Sequence, residues 1–173
     1  MSESGDRIAV TGTPGTGKST ATALLADEYD VIHLNDLIQD DEDLWTERDP
    51  QRGSLVADLE AIADRLGDWS GVLDSHLAHR FAVDRVVVLR CAPETLERRL
   101  RERGAPPTKV AENAEAEALD VILSEAVAEH GLDRVYEIDG TERTPQEIAA
   151  GIRDVIEGRR DPSAGEVDFT DYL

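Results

Sequence analysis

Two kinds of block alternate along this 173-residue chain. Short, nearly continuous apolar runs occupy 7–11, 31–34, 71–74, 85–91 and 134–139. Val86-Val87-Val88-Leu89, with no polar interruption, has the pattern of a strand buried on both faces of a parallel sheet. Between these runs, apolar residues recur at helical spacing over 18–28, 55–66, 93–103, 109–129 and 145–157. Pro93 and Pro145 stand where a helix tolerates proline, in its first turn. Strand and helix in alternation predict a three-layer α/β sandwich around a five-stranded parallel sheet, with 1–157 as one domain.

Two polar stretches break this rhythm, 35–53 and 103–109. Polar loops of this kind, over one edge of an α/β sheet, are where a second substrate and a closing lid would sit. The tail 158–173 is polar but ends on Val167, Phe169, Tyr172 and Leu173. It reads as an extended segment that packs back on the body or stays disordered, with docking to a partner as the alternative.

The boundary between the first strand and first helix is filled by Gly12-Thr13-Pro14-Gly15-Thr16-Gly17-Lys18-Ser19. This is G-x-x-x-x-G-K-[ST], in the strand–loop–helix context that gives the pattern meaning. Backbone N–H groups of such a loop wrap phosphate oxygens, and the following helix adds its positive end. Lys18 would reach the β- and γ-phosphates of ATP, and the Ser19 hydroxyl would face Mg²⁺.

Other residues fall into place around that loop. Asp74 ends the third strand, where a carboxylate can face the same Mg²⁺; capping the next helix is the bland alternative. His76, two residues on, is either structural or orients a water or phosphate. Arg99 and Arg103 share a helix face at i and i+4 and would reach nucleotide phosphates, while cations at a helix C-terminus are favourable in any case. Asp36 either caps a short helix or contacts the acceptor. No Asn-Lys-x-Asp, HExxH or paired CxxC motif occurs, so neither guanine specificity nor a zinc site is implied. Cys91 ends an apolar strand and reads as packing. A lone cysteine and the absence of a long apolar run or signal segment point to the cytoplasm.

Charge alters the picture most. The chain carries 38 acidic and 18 basic residues, a net charge of −20. Only Lys18 and Lys109 are lysines. This acidic, lysine-poor composition resembles the salt-adapted proteome of halophilic archaea. It disfavours binding to naked nucleic acid, which needs a cationic face, and favours basic protein partners.

These motifs, with Asn35-Asp36-Leu37, Asp74-Ser75-His76, Leu89-Arg90, Glu97-Arg98-Arg99-Leu100 followed by Arg103-Gly104, and Lys109 with Asn113, resemble the atypical adenylate kinase family over roughly 7–157. Its eukaryotic members act in ribosome assembly. The resemblance implies a nucleoside-monophosphate-kinase form of the P-loop fold, with an acceptor segment at 30–53 and a lid at 102–112. It implies conversion of ATP and AMP, or another nucleoside monophosphate, to diphosphates, alongside slow ATP hydrolysis. Gly15, Gly17, Lys18, Ser19 and Thr20 match the family's ATP loop, Arg103 its lid arginine, and Asp74 and His76 its Asp-x-His. It also implies a partner in the small-subunit ribosomal protein uS11 and a role in late small-subunit RNA maturation. Gln39 departs from the family, which tends to a basic residue there; Arg48 or Arg52 could replace that contact. Pro106-Pro107 should stiffen the lid, and the tail has no evident counterpart.

Carboxylate repulsion at this net charge is screened only in concentrated salt, where the Debye length is ~3 Å against ~10 Å at 0.1 M. We expect the melting temperature to fall steeply below roughly 0.5 M KCl. A melting temperature that stays constant across that range would contradict the expectation.

Overall fold

The computed structural model describes residues 6–49 and 54–173, with the side chains of 42, 45–49 and 54–56 outside that description. Five parallel strands form the central sheet: β1 (Arg7–Thr11), β2 (Val31–His33), β5 (Gly71–Asp74), β6 (Arg85–Arg90) and β7 (Val135–Asp139), in the order β2-β5-β1-β6-β7. All five lie on the five apolar runs. Successive side chains on a strand point to opposite faces, and the core divides accordingly. Ile8, Val10, Val72, Val87 and Leu89 pack one face against Ala21 and Leu25 and against Ile148, Ile152 and Val155. Ala9, Leu73, Val86 and Val88 pack the other against Ile62, Leu123 and Ala126. Helices α1 (Lys18–Ala23) and α7 (Pro145–Ile156) thus cover the first face. Helices α3 (Leu59–Leu66) and α6 (Val121–His130) cover the second.

Three expected helices differ from the structure. The first stops at Ala23, with turns in place of helix over 24–28. The segment 55–66 is not one helix. Ser54–Ala57 is strand β4, paired antiparallel with β3 (Trp45–Asp49), and α3 begins only after Asp58, whose side chain accepts from Ala61 N at 3.1 Å. An aspartate that caps a helix start competes with helix through its position. Nor is 109–129 continuous. It divides into α5 (Pro107–Ala118) and α6 at Asp120, whose φ of 57° is left-handed.

A buried ion cluster makes that break. The Arg90 guanidinium is 1% exposed. Its Nη2 donates to the Glu117 backbone carbonyl at 2.9 Å and to Asp120 Oδ1 at 2.6 Å, satisfying groups at the end of α5. Its Nε donates to Glu117 Oε2 at 2.9 Å and its Nη1 to Glu137 Oε2 at 2.6 Å. Asp tolerates the left-handed region better than most residues, so the break costs little there.

The C-terminal segment packs on the body. Ser163 N donates to Val135 O, and Arg160 Nη2 to Glu137 O, so the segment covers the outer edge of β7. Gly165 N, Glu166 N and Val167 N all converge on Glu137 Oε1, at 2.7, 2.8 and 3.3 Å. Phe169 lies over the Arg90 guanidinium, 5.3 Å from ring centroid to Cζ. Tyr172 donates its hydroxyl to Glu97 on α4 (Pro93–Glu102).

Removing one partner from a buried ion cluster leaves the others uncompensated. Arg90→Met should lower the unfolding free energy by ~3–5 kcal/mol, measured by urea unfolding in concentrated KCl. A loss within ~1 kcal/mol would show that the carboxylates re-solvate freely.

Candidate nucleotide site

The loop 12–17 turns between β1 and α1 at the C-terminal edge of the sheet. Gly12 has a φ of 149°, and a Cβ there would lie 2.6 Å from Leu89 O on the neighbouring strand. Gly17 has a φ of 95°, yet a Cβ there would meet nothing within 4 Å. The first glycine allows the loop to lie against the sheet. The second sets its curve beside open space.

That space is a cleft of about 570 Å³. The loop residues Gly15, Gly17, Lys18, Ser19 and Thr20 line it together with His76, Arg99 and Arg103. Residues far apart in the sequence thus meet around one cavity, which Asp74 and Asp36 do not line. Lys18 is buried, and its Nζ donates to Gly12 O at 2.8 Å and Thr13 O at 3.1 Å. Burial brings its pKa down to about 8, against the raising influence of Asp74 and Glu117. Arg99 Nη1 donates to Gly15 O at 3.2 Å, so this side chain holds the loop itself. Arg103 is exposed at the cleft wall.

Asp74 is buried below the loop and does not cap a helix. Its Oδ2 accepts from Thr22 Oγ1 at 3.1 Å and pairs with His33 Nδ1 at 2.6 Å. The cap-like role falls to Ser75 instead, whose Oγ accepts from Leu77 N and donates to Asn35 Oδ1. Ser19 is exposed in the first turn of α1. A hydroxyl and a carboxylate are hard oxygen donors of the kind Mg²⁺ takes, in ones and twos, alongside substrate phosphates. Among the described residues no group of three or more His, Cys, Asp or Glu could hold a metal by itself. The donor set therefore fits a cation that arrives with a nucleotide.

His76 faces the cleft half-buried. Burial first, then the positive charge of Lys18, lowers its pKa to about 4. Its ring is neutral near pH 7 and able to accept a hydrogen bond. A second histidine, His79, went unremarked in the sequence. It is 1% exposed, with Nε2 on Glu125 Oε1 and Nδ1 on Thr11 Oγ1, both at 2.8 Å. Burial lowers its pKa too. It fastens the end of β1 to α6.

Asp36 stands exposed in the first turn of α2 (Leu34–Asp40), and its neighbour Asn35 lines the cleft. Gln39 is likewise exposed on α2. Arg52 lies outside the described residues, as does the side chain of Arg48. Sequence reasoning missed Glu102, Arg143, Pro145 and Ile148, which share the cleft. Arg143 was legible as a cation before the α7 capping box of Thr144 and Glu147, but nothing in its spacing linked it to the loop.

Residues 8–120 match a family described as an AAA domain. The chain is 58% identical to a protein from Natronomonas pharaonis over 96% of its length and 99% of the relative's. It is 57% identical to one from Halobacterium salinarum over the same shares of the two chains. A third, from Methanothermobacter thermautotrophicus, is 45% identical over 96% of this chain and 98% of its own. All three bear the name "Putative adenylate kinase". Similarity over 96% of the chain extends into the C-terminal segment, so that segment does have counterparts. Two of these relatives come from halophiles, in line with the acidic composition. Among solved structures, a shikimate kinase from Bacteroides thetaiotaomicron superposes with a TM-score of 0.56 at 19% identity, covering 88% of this chain and 98% of its own. A gluconokinase from Sinorhizobium meliloti gives 0.53 at 20%, covering 89% and 91%. These two show the shared P-loop kinase-like fold.

A folded-state pKa below the unfolded value means that the unfolded chain binds more protons between the two. For His76 that window runs from about 4 to 6.5, so its contribution to stability is present above the window and is lost as pH falls through it. We expect the His76 ring resonance, followed by NMR in concentrated salt, to stay neutral down to about pH 5. A midpoint near 6.5 would show the ring to be solvated.

Proposed function

Because this chain belongs to the adenylate kinase family of its archaeal relatives, we propose that it transfers the γ-phosphoryl group of ATP to AMP, with tolerance for other nucleoside monophosphates. The observation that carries this reading is electrostatic. In a chain of net charge −20, Lys18, Arg99, Arg103 and Arg143 line one cleft with, among the described residues, a single carboxylate, Glu102. Such a concentration of cations in an acidic molecule suits a polyanionic ligand.

In that reading the loop N–H groups and Lys18 hold the ATP phosphates. Lys18 exchanges its two carbonyl partners for phosphate oxygens. Arg103, on the lid, meets the charge that develops on the equatorial oxygens during transfer. An AMP phosphate oxygen attacks the γ-phosphorus, the bond to the bridging oxygen breaks, and two ADP result. Ser19, with Asp74 behind it, would hold Mg²⁺, which would supply positive charge against the phosphates. Segment 30–53 serves the acceptor and 102–112 the lid, with Asp36 and Asn35 at the acceptor side. Pro145 and Ile148 give the cleft an apolar wall for a base. Water in place of AMP turns transfer into slow hydrolysis, and the neutral ring of His76 is suited to orient that water.

The acidic surface favours a second, compatible role. A cytoplasmic protein of this charge binds a basic protein far better than RNA, which supports the small-subunit protein uS11 as a partner and a part in small-subunit maturation. Binding of that protein that is indifferent to nucleotide would oppose an ATP-gated role.

A coupled assay in molar KCl tests the kinase. AMP should accelerate ADP formation well above the ATP-only rate, and Lys18→Ala should abolish both rates. An ATP-only rate that AMP leaves unchanged would sink the kinase reading. His76→Ala should reduce hydrolysis more than AMP phosphorylation; equal losses would remove its water-orienting role.

A further inference from the structure

Thr13 belongs to the phosphate loop, but its side chain faces away from the cleft. It is 2% exposed, and its Oγ1 donates to Glu117 Oε1 at 2.8 Å. The partner sits on α5, the helix that follows the lid turn. Glu117 has no other function visible at the cleft surface and is itself 2% exposed. Its second oxygen, Oε2, accepts from Arg90 Nε and from Cys91 N, both at 2.9 Å. One carboxylate therefore joins three elements: the loop, the end of β6 and the helix behind the lid.

The joint continues outward. Arg90 also donates to Glu137 Oε2, and Glu137 Oε1 receives the three backbone N–H groups of 165–167. Each carboxylate thus uses one oxygen for Arg90 and the other for a further element, the loop in one case and the C-terminal segment in the other. Arg90 is buried between them and capped by Phe169. In so dry a place the position of the guanidinium is set by the acceptors around it. A shift at Glu137 is therefore felt at Glu117, and from there at Thr13.

We propose that Glu117 is a positioning residue for the phosphate loop, acting through Thr13, and that the C-terminal segment shares in this through Glu137 and Arg90. It rests on the reading of the cleft as an ATP site. Neither carboxylate touches the nucleotide. Their work is to fix where the loop N–H groups point before phosphate arrives, which is preorganisation rather than chemistry.

Thr13→Val isolates the link. It keeps the branched shape, removes the hydroxyl donor, and leaves the Arg90–Glu117 pair intact. Calorimetric titration of the full chain with ATP in concentrated KCl should show the dissociation constant rise about tenfold, the scale of one charge-assisted hydrogen bond. Thr13→Ser should restore it to within about twofold. Binding of adenosine, which has no phosphate, should be the same in all three proteins; a general loss of structure would weaken it too. Gly165→Pro removes one N–H donor to Glu137 and forbids the φ of 92° found there, at an exposed position remote in sequence from the loop. It should weaken ATP by roughly two- to fivefold with adenosine unaffected. If the unmodified protein binds ATP and Thr13→Val binds it equally well, or loses adenosine in parallel, the positioning role is wrong. A Gly165→Pro protein that binds ATP as the parent does would remove the C-terminal segment from it. A parent protein that binds no ATP would overturn the nucleotide site itself.

Discussion

The Arg90 guanidinium ties β6 to α5, to β7 and to the C-terminal segment. One side chain ends helix α5, pairs two buried carboxylates, supports the left-handed turn at Asp120 and carries the ring of Phe169. Four hydrogen bonds leave it, which uses most of the five N–H donors an arginine has. Lysine has three donors and no fork, so it could not fill this position. A chain that uses almost no lysine has lost nothing by it here. Buried ion clusters are weak sources of net stability but strong constraints on geometry. In this fold the constraint lies directly behind the phosphate loop.

That placement resolves a difficulty set by composition. A surface of net charge −20 repels the ligand that the cleft has to hold. Local cations answer part of it, since Lys18, Arg99, Arg103 and Arg143 meet at one cavity. The other part is rigidity. A loop already curved around the phosphate position does not have to be reorganised by a ligand whose long-range attraction is screened by salt. Arg99 pulls on Gly15 from α4, and Glu117 pulls on Thr13 from α5. Both helices flank the turn 103–106, so the loop is braced from both sides of that turn.

How much of this was legible in the sequence differs from level to level. All five sheet strands coincide with apolar runs because a strand buried on both faces needs an unbroken one, and few other structures do. The loop was legible because close backbone approach and positive φ both demand glycine at fixed spacing. The hairpin Trp45–Asp49 with Ser54–Ala57 was not, since Leu55 and Val56 suit a helix as well as a strand and only pairing decides. The break at Asp120 was hidden for a related reason. Periodicity is a property of neighbours along the chain, whereas the break is made by Arg90, 30 residues earlier. Lys109, Asn113 and Glu117 recur at four-residue intervals along α5, but nothing local showed that Glu117 would lie against the loop.

The two histidines show the same division in the site. His76 follows the carboxylate of β5 closely, so its place at the cleft could be expected from the strand that carries it. His79, three residues further on, looks no different in sequence. Its side chain turns inward between Thr11 and Glu125, and a neutral imidazole serves one as acceptor and the other as donor. Burial disfavours the charged form of both rings, but for unlike ends. At His79 it leaves a fixed bridge between the strand that enters the phosphate loop and helix α6. At His76 it leaves a neutral ring on the cleft wall. What separates the two rings is therefore the pair of partners that reach His79, and those come from elements distant in the chain.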